Sequence, residues 1–569
     1  MKRFIAFLML FAVGFAAEDT GARYLIITHD DFYDAIQPLA QWKHKKGMKT
    51  EVVKLSQIGY TEEEIRDYIE NAYNTWPIRP EYLLLVGAPN YLPFPRIVFT
   101  YTDNYYTNMD GDIYNEILSG RLTVHNTTEA QTVVNKMLLY ERKPYMTDSL
   151  WFINSCLIVN EDNDPNDSIY WNDIYYARSL MLRAGYNIID ILSDEYGDND
   201  DDVIDCVNNG RAFVLYRGQG VNNWYSPFAC NPTLTTNGAR LPIVLSITCT
   251  TIGTGSTPAA AEQWFLTGTP TTPRGASGYF ATTTTVFFGG ADLRSAVSDG
   301  FFDAVFRYGL RTFGQACENG RQNVYNIFGD VEEYRGFTTI GDPEMNIWTA
   351  IPREFNVAHP DTIPTGSQDF TIVVSDEGNP VRDALVCLVK GNEIYVVDTT
   401  DANGTAVLNL NALLPGTMDV TVTGRNYQPY EGTCQITGAG DINVYIVPDA
   451  TTVPRGGQLG YTVTVANNSS SSVTLQYWTD IVLWNGNPYP GNPICGPYTI
   501  TVPVGNTQGH VTHTVPAHAP LQTYTCFGQI GWHPDDVWAE DYFTFIIVDS
   551  DEKGEENGNW SIVEQDFLR

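Results

Sequence analysis

The sequence predicts an α/β region of two stacked parallel-sheet units, followed by two all-β immunoglobulin-like sandwich domains. Three observations carry this. Between Ala22 and Ala350, short apolar runs alternate with amphipathic stretches of helical period. Beyond Pro352 the composition turns to Thr, Val, Gly, Asn and Pro with period-two alternation, and turn residues recur at short intervals, as in Thr400-Asp401-Ala402-Asn403-Gly404. A chain of 569 residues is also too long for a single core.

The first segment, residues 1–17, has Lys2 and Arg3 before an apolar run from Phe4 to Val13, then Gly14, Ala16 and Ala17. That order is a secretory signal peptide, and the run is too short to span a bilayer. The chain is therefore expected outside the cell, or on its surface, without a transmembrane anchor. Residues 22–125 form the first α/β unit: strands Tyr24 to Ile27, Glu51 to Leu55 and Tyr82 to Val86, a helix Phe32 to Lys46, and a second helix opened by the capping pair Thr61 and Glu64. Residues 126–350 form the second, with strands Cys156 to Asn160, Ala212 to Tyr216 and Ile243 to Thr248 and helices through Ala130 to Tyr140, up to Ala184, Ala259 to Leu266 and Asp292 to Tyr308. The sandwiches are expected over 355–447 and 448–549, and residues 550–569 read as a polar tail.

Lys and Arg number 33 against 67 Asp and Glu, a net charge of −34 that would repel a phosphate backbone and excludes nucleic acid as a partner. The nine cysteines are an odd number. Cys387 with Cys434 and Cys495 with Cys526 form local couples, which leaves the odd thiol among Cys156, Cys206, Cys230, Cys249 and Cys317. Cys249 is expected to be that thiol.

Open parallel sheets bind ligands at the carboxyl ends of their strands. Glu161 follows the first strand of the second unit, Arg217-Gly218-Gln219-Gly220 the second, and Cys249 the third. A thiol at a sheet mouth near a helix N-terminus and a carboxylate is placed to act as a nucleophile. The competing reading makes Cys249 a small apolar residue ending a buried strand.

From Ala22 to Ala350 the sequence resembles the gingipain family of secreted cysteine peptidases, which are caspase-like in fold. The resemblance is carried by Ala22-Arg23-Tyr24-Leu25-Ile26-Ile27-Thr28, Leu83-Leu84-Leu85-Val86-Gly87, Ser119-Gly120-Arg121-Leu122 with the helix ending Leu139-Tyr140-Glu141, and Gly341-Asp342-Pro343. It implies that Cys249, in Ser246-Ile247-Thr248-Cys249, is the nucleophile and Glu161 the acidic partner. The family's Tyr-x-Gly-His-Gly stretch reads Tyr216-Arg217-Gly218-Gln219-Gly220 here, so Gln219 replaces the histidine, with Gly218 and Gly220 as the substrate-polarising loop. No histidine lies between residues 126 and 358; His29, at the end of the first strand, is the one outside the unit that could approach the cleft. A glutamine amide can donate to an oxyanion but cannot hand over a proton.

Two acidic clusters, around Asp162 and Asp164 and around Asp198, are weak calcium candidates, since calcium takes several oxygens and family members bind it. Against that, neither fits the twelve-residue calcium loop, and a solvated loop and an acidic helix start explain both. No other cofactor is implied. Two functions are therefore expected: a secreted gingipain-type cysteine endopeptidase, impaired by the loss of its histidine, acting on proteins or peptides; or a catalytically inactive extracellular binding or adhesion protein on the same scaffold.

Overall fold

The computed structural model describes residues 21–549 and 560–565, apart from 162–164, 256–257, 286–289, 413 and 438–441. The expected signal segment, residues 1–17, lies outside the described residues, as do Asp162 and Asp164.

Ten strands build the main sheet of the α/β region: β1 (Tyr24–Thr28), β2 (Thr50–Lys54), β3 (Tyr82–Val86), β4 (Leu118–Leu122), β5 (Asn154–Val159), β6 (Ile188–Ser193), β7 (Phe213–Arg217), β8 (Ile243–Ile247), β9 (Gly278–Thr282) and β10 (Phe337–Ile340). They lie in one sheet, in the order β2-β1-β3-β4-β10-β9-β8-β7-β5-β6. The expectation of two stacked units is thereby corrected: the units stand side by side. The join is made by β9 and β10, two short strands that run antiparallel to each other, with Ile340 of β10 meeting Arg121 of β4. Glycines permit that join, because a Cβ on Gly120 would stand 2.2 Å from the Gly341 carbonyl oxygen and Gly341 itself has φ +130°.

Alternate residues along each strand feed opposite faces of the sheet. Tyr24, Ile26, Cys156, Ile158, Val214 and Val244 pack under α1 (Tyr33–Lys45) and other helices of one layer. Leu25, Ile27, Leu157, Leu215 and Leu245 face the other layer. That second layer begins with α2 (Glu62–Thr75), whose start matches the expected cap: the Thr61 hydroxyl accepts from the Glu64 amide at 3.2 Å, and the Glu64 carboxylate accepts from the Thr61 amide at 3.0 Å. The longer helices that follow are α3 (Thr127–Glu141), α4 (Asp167–Arg183), α5 (Asp200–Asn208), α6 (Ala260–Leu266), α7 (Gly290–Phe306), α8 (Phe313–Phe328) and α9 (Val331–Gly336). Among the described residues no helix is long and apolar enough to cross a membrane.

A buried charge cluster clamps α1 to the far end of the region. Lys43 Nζ lies 2.7 Å from Glu141, 2.6 Å from Asp342 and 2.6 Å from Glu344, and Lys46 Nζ lies 2.5 and 2.6 Å from Glu141 and Glu344. The three carboxylates are close enough together to ligate a metal. The Lys43 ammonium already supplies the cation among them. Two lysines beside it hold the Glu141 carboxyl at about 2 despite its burial.

Beyond residue 350 each module is a pair of sheets around its own apolar cluster. Strand Ile442–Pro448 pairs with Gln458–Asn467, so the second module begins at 442 rather than 448. Part of the expected tail, Ser561–Gln565, adds an edge strand to that module, with Ser561 opposite Thr514. The first module docks on the α/β region through Lys45 with Asp419 at 3.1 Å and a two-pronged pair of Arg142 with Glu431, both bonds 2.7 Å.

All nine cysteines are thiols outside any disulfide, which corrects the expected couples. Cys387 and Cys434 sit on strands separated by Gly416–Gly424, and Cys495 and Cys526 on strands separated by Val473–Leu483. Two ladder spacings are about 10 Å. A disulfide closes only when the Cα atoms are within about 7 Å.

Candidate active site

The three positions singled out in the sequence emerge from neighbouring strands at one edge of the sheet. Val159 of β5 and Ile247 of β8 both pair with Arg217 of β7, so residues 161, 219 and 249 each stand two positions past an aligned strand end. The backbone thus delivers all three to one region, and the side chains decide which of them meet.

Cys249 and Gln219 share a pocket. Both line a pocket of about 240 Å³ whose walls also include Gly218, Thr248 and the first turn of α7, Gly290 and Ala291. Cys249 is half-buried and Gln219 is exposed on the rim. The loop that carries Gln219 is stiff: its carbonyl accepts from the Tyr216 hydroxyl at 2.6 Å and from the Tyr225 amide at 3.2 Å. Asn160 donates in turn to the Tyr216 hydroxyl at 2.9 Å, and the Tyr216 ring stacks on Trp224 at 4.5 Å. Gly218 has φ +154°, and a Cβ there would stand 2.6 Å from the Asn160 Cβ, so the close approach requires glycine. Gly220 does not line the pocket; it pairs with Trp224 in a short hairpin.

Glu161 is placed differently. It is buried and turns toward β6, where both carboxylate oxygens accept from the Ser193 hydroxyl, at 2.8 and 3.0 Å, and its amide donates to Asp194 at 2.8 Å. Burial and the Asp194 carboxyl push the Glu161 carboxyl up to about 7. It is not among the residues that line the pocket. Asp198, the calcium candidate among the described residues, accepts from the Ser193 amide at 2.9 Å and so closes the turn after β6.

His29 stays away from the thiol. Its Nδ1 accepts from the Asp31 amide at 3.2 Å and its ring packs edge-on against Tyr91 at 5.0 Å. β1 lies five places from β8 in the sheet, about 24 Å.

Sequence reasoning missed the charged partners behind the pocket. Arg294 Nη1 points at the Cys249 Sγ from 3.1 Å, and its Nε and Nη2 contact Glu333 at 3.4 and 3.3 Å. Both Arg294 and Glu333 are buried. A signal existed: Arg294 shares a helix face with Val297, Phe301 and Val305, all buried, and a charge on an apolar face calls for a partner. Arg217 forms a second brace, its Nη1 donating to the Ile247 carbonyl at 2.8 Å and its Nε paired with Asp173 at 2.5 Å. The loop after Cys249 is closed by Glu262, whose carboxylate accepts from the amides of Gly253 at 3.0 Å and Ala259 at 2.9 Å.

Residues 17–348 match the model of peptidase family C25. The chain is 24% identical over 426 residues to gingipain R2 of Porphyromonas gingivalis, covering 68% of this chain and 56% of that protein. It is 23% identical over 447 residues to Lys-gingipain HG66 of the same organism, covering 72% of this chain and 25% of that protein. The chain thus spans about half or less of the length of these curated relatives. Among solved structures, the Arg-specific cysteine proteinase gingipain R superposes with a TM-score of 0.66 at 21% identity, covering 74% of this chain and 99% of that one. A family match over more than half of the sequence, on an α/β fold shared with a solved gingipain, places this chain in peptidase family C25.

Proposed function

We propose that the protein is a secreted, thiol-dependent acyl hydrolase of the gingipain type, with Cys249 as nucleophile and with weak activity toward amides. The observation that carries this reading is the shared pocket of Cys249 and Gln219 at the carboxyl edge of the sheet, with Glu161 turned away to Ser193. In the reaction, Cys249 Sγ attacks the substrate carbonyl, the Gln219 amide donates to the oxyanion, and collapse gives a thioester that water then hydrolyses. An amine leaving group must take up a proton as the carbon–nitrogen bond breaks, and neither Gln219 nor the outlying Glu161 is placed to give it. General acid help of that kind contributes about 10²–10⁴ in rate. A phenolate, with the acidity of a tyrosine side chain, departs unprotonated. The substrates are therefore acyl groups of peptides or proteins, with activated esters favoured over amides.

The basic, apolar, small order of residues 1–17 supports export, and the net charge of −34 argues against a nucleic-acid partner. We read the two C-terminal modules as immunoglobulin-like recognition or spacing domains; their paired sheets and alternating strands support this. The retracted Glu161 favours a second reading, an inactive binding protein on the same scaffold.

Hydrolysis of a p-nitrophenyl ester and of a peptide library by the mature chain, beside Cys249→Ala, tests the proposal. Ester cleavage lost in Cys249→Ala is the expected result. Equal rates in both forms, with the fold intact by circular dichroism, would leave the binding protein.

A further inference from the structure

The thiol has a charged neighbour that the family motif does not supply. Arg294 reaches Cys249 from the second turn of α7, with Nη1 3.1 Å from Sγ, and the rest of its guanidinium is turned toward Glu333. Glu333 is fully buried, accepts from the Thr284 hydroxyl at 2.5 Å, and sits on α9, whose first turn is capped by Asp330 through the Glu333 amide at 2.8 Å. The planar fork of an arginine braced in this way has little freedom left.

We propose that Arg294, braced by Glu333, is the positioning residue that holds the Cys249 sulfur toward the pocket and supplies the countercharge for its attack. This rests on the reading of Cys249 as nucleophile. The thiolate is the reactive form of cysteine, and an adjacent guanidinium favours it. A guanidinium keeps its charge across the whole physiological range. Arg294 thus replaces one of the two services of a catalytic histidine, the countercharge, and cannot replace the other, the transferable proton. The site that results attacks without an imidazole and leaves amines hard to expel. Among the described residues the other charged group that lines the pocket is Arg217, paired with Asp173 from α4, and the tyrosines Tyr170 and Tyr225 line it too.

The test is the rate of iodoacetamide alkylation at Cys249, read by mass spectrometry of its peptide from pH 5 to 9. Removing only one of two buried charges strands the other, whereas removing both is often tolerated. The double variant Arg294→Met/Glu333→Gln is therefore compared with wild type and with Arg294→Lys. In the double variant alkylation at pH 7 should slow roughly tenfold or more, and Arg294→Lys should recover part of the loss. An unchanged pH profile in a folded double variant, or an Arg294→Lys profile no closer to wild type than the double variant's, overturns the proposal. Alkylation needs no substrate. An Arg294-dependent profile without ester hydrolysis would sink the hydrolase reading and keep the countercharge, and hydrolysis with an Arg294-independent profile would do the reverse.

Discussion

Gln219→His puts an imidazole where the proton donor is missing. The main chain at 219 is held by Tyr216 and Tyr225, and its side chain stands on the rim of the pocket that Cys249 lines, so the substitution needs no rearrangement of the loop. General acid catalysis contributes about 10²–10⁴ when the donor is fully oriented. Glu161, the carboxylate that the family resemblance would make its partner, is engaged elsewhere, because the Ser193 hydroxyl donates to both of its oxygens at 2.8 and 3.0 Å. An imidazole without that support should give the lower end, ~10² in rate or about 2.7 kcal/mol off the barrier. The assay is hydrolysis of matched peptide amides and aryl esters, each corrected for Cys249→Ala. The amide rate should rise about a hundredfold while the ester rate changes little, since only the amine needs the proton. A wild-type chain that already cleaves amides as fast as esters, and that loses activity on Gln219→His, would refute the reasoning and make the glutamine part of a working mechanism.

Three further outcomes bear on the fold. Lys43→Met leaves Glu141 and Glu344 to Lys46 and takes from Asp342 its ion pair with Lys43, and breaking a buried pair costs about 3–5 kcal/mol; thermal unfolding should fall by roughly 10 °C, and a change within error would mean that the cluster is not a clamp. Burial holds the His513 imidazole at about 4, below its ordinary value of 6.5. Its contribution to stability is thus present above pH 6.5 and lost as pH falls toward 4, a loss of about 3 kcal/mol. Urea unfolding of wild type and His513→Gln across that window checks this, because the pH dependence should flatten in the variant. Non-reducing peptide mapping should find no link between Cys387 and Cys434 or between Cys495 and Cys526; either link would contradict the strand order of its module.

The sequence by itself determined the parts whose signals are local. Short apolar runs such as Ile243–Ile247 and the Thr61–Glu64 cap fix elements within a few residues, because an apolar run and a cap depend on neighbours along the chain. The placement of Cys249, Gln219 and Glu161 at one edge was legible for the same reason: a parallel strand delivers the residues just beyond its C-terminal end to a known edge of the sheet. Only the tertiary structure decided that the two units share a single sheet, since β9 and β10 are short and their pairing joins residues far apart in sequence. It also decided which side chains meet. Glu161 could turn toward the thiol or toward Ser193, and burial against β6 chose Ser193; Arg294 lies 45 residues from Cys249 and finds it only because α7 and the loop after β8 converge at the same edge of the sheet. Strand ends arise from local patterning, whereas charge pairs in a core arise from packing between distant segments, where an unpartnered charge is too costly to bury.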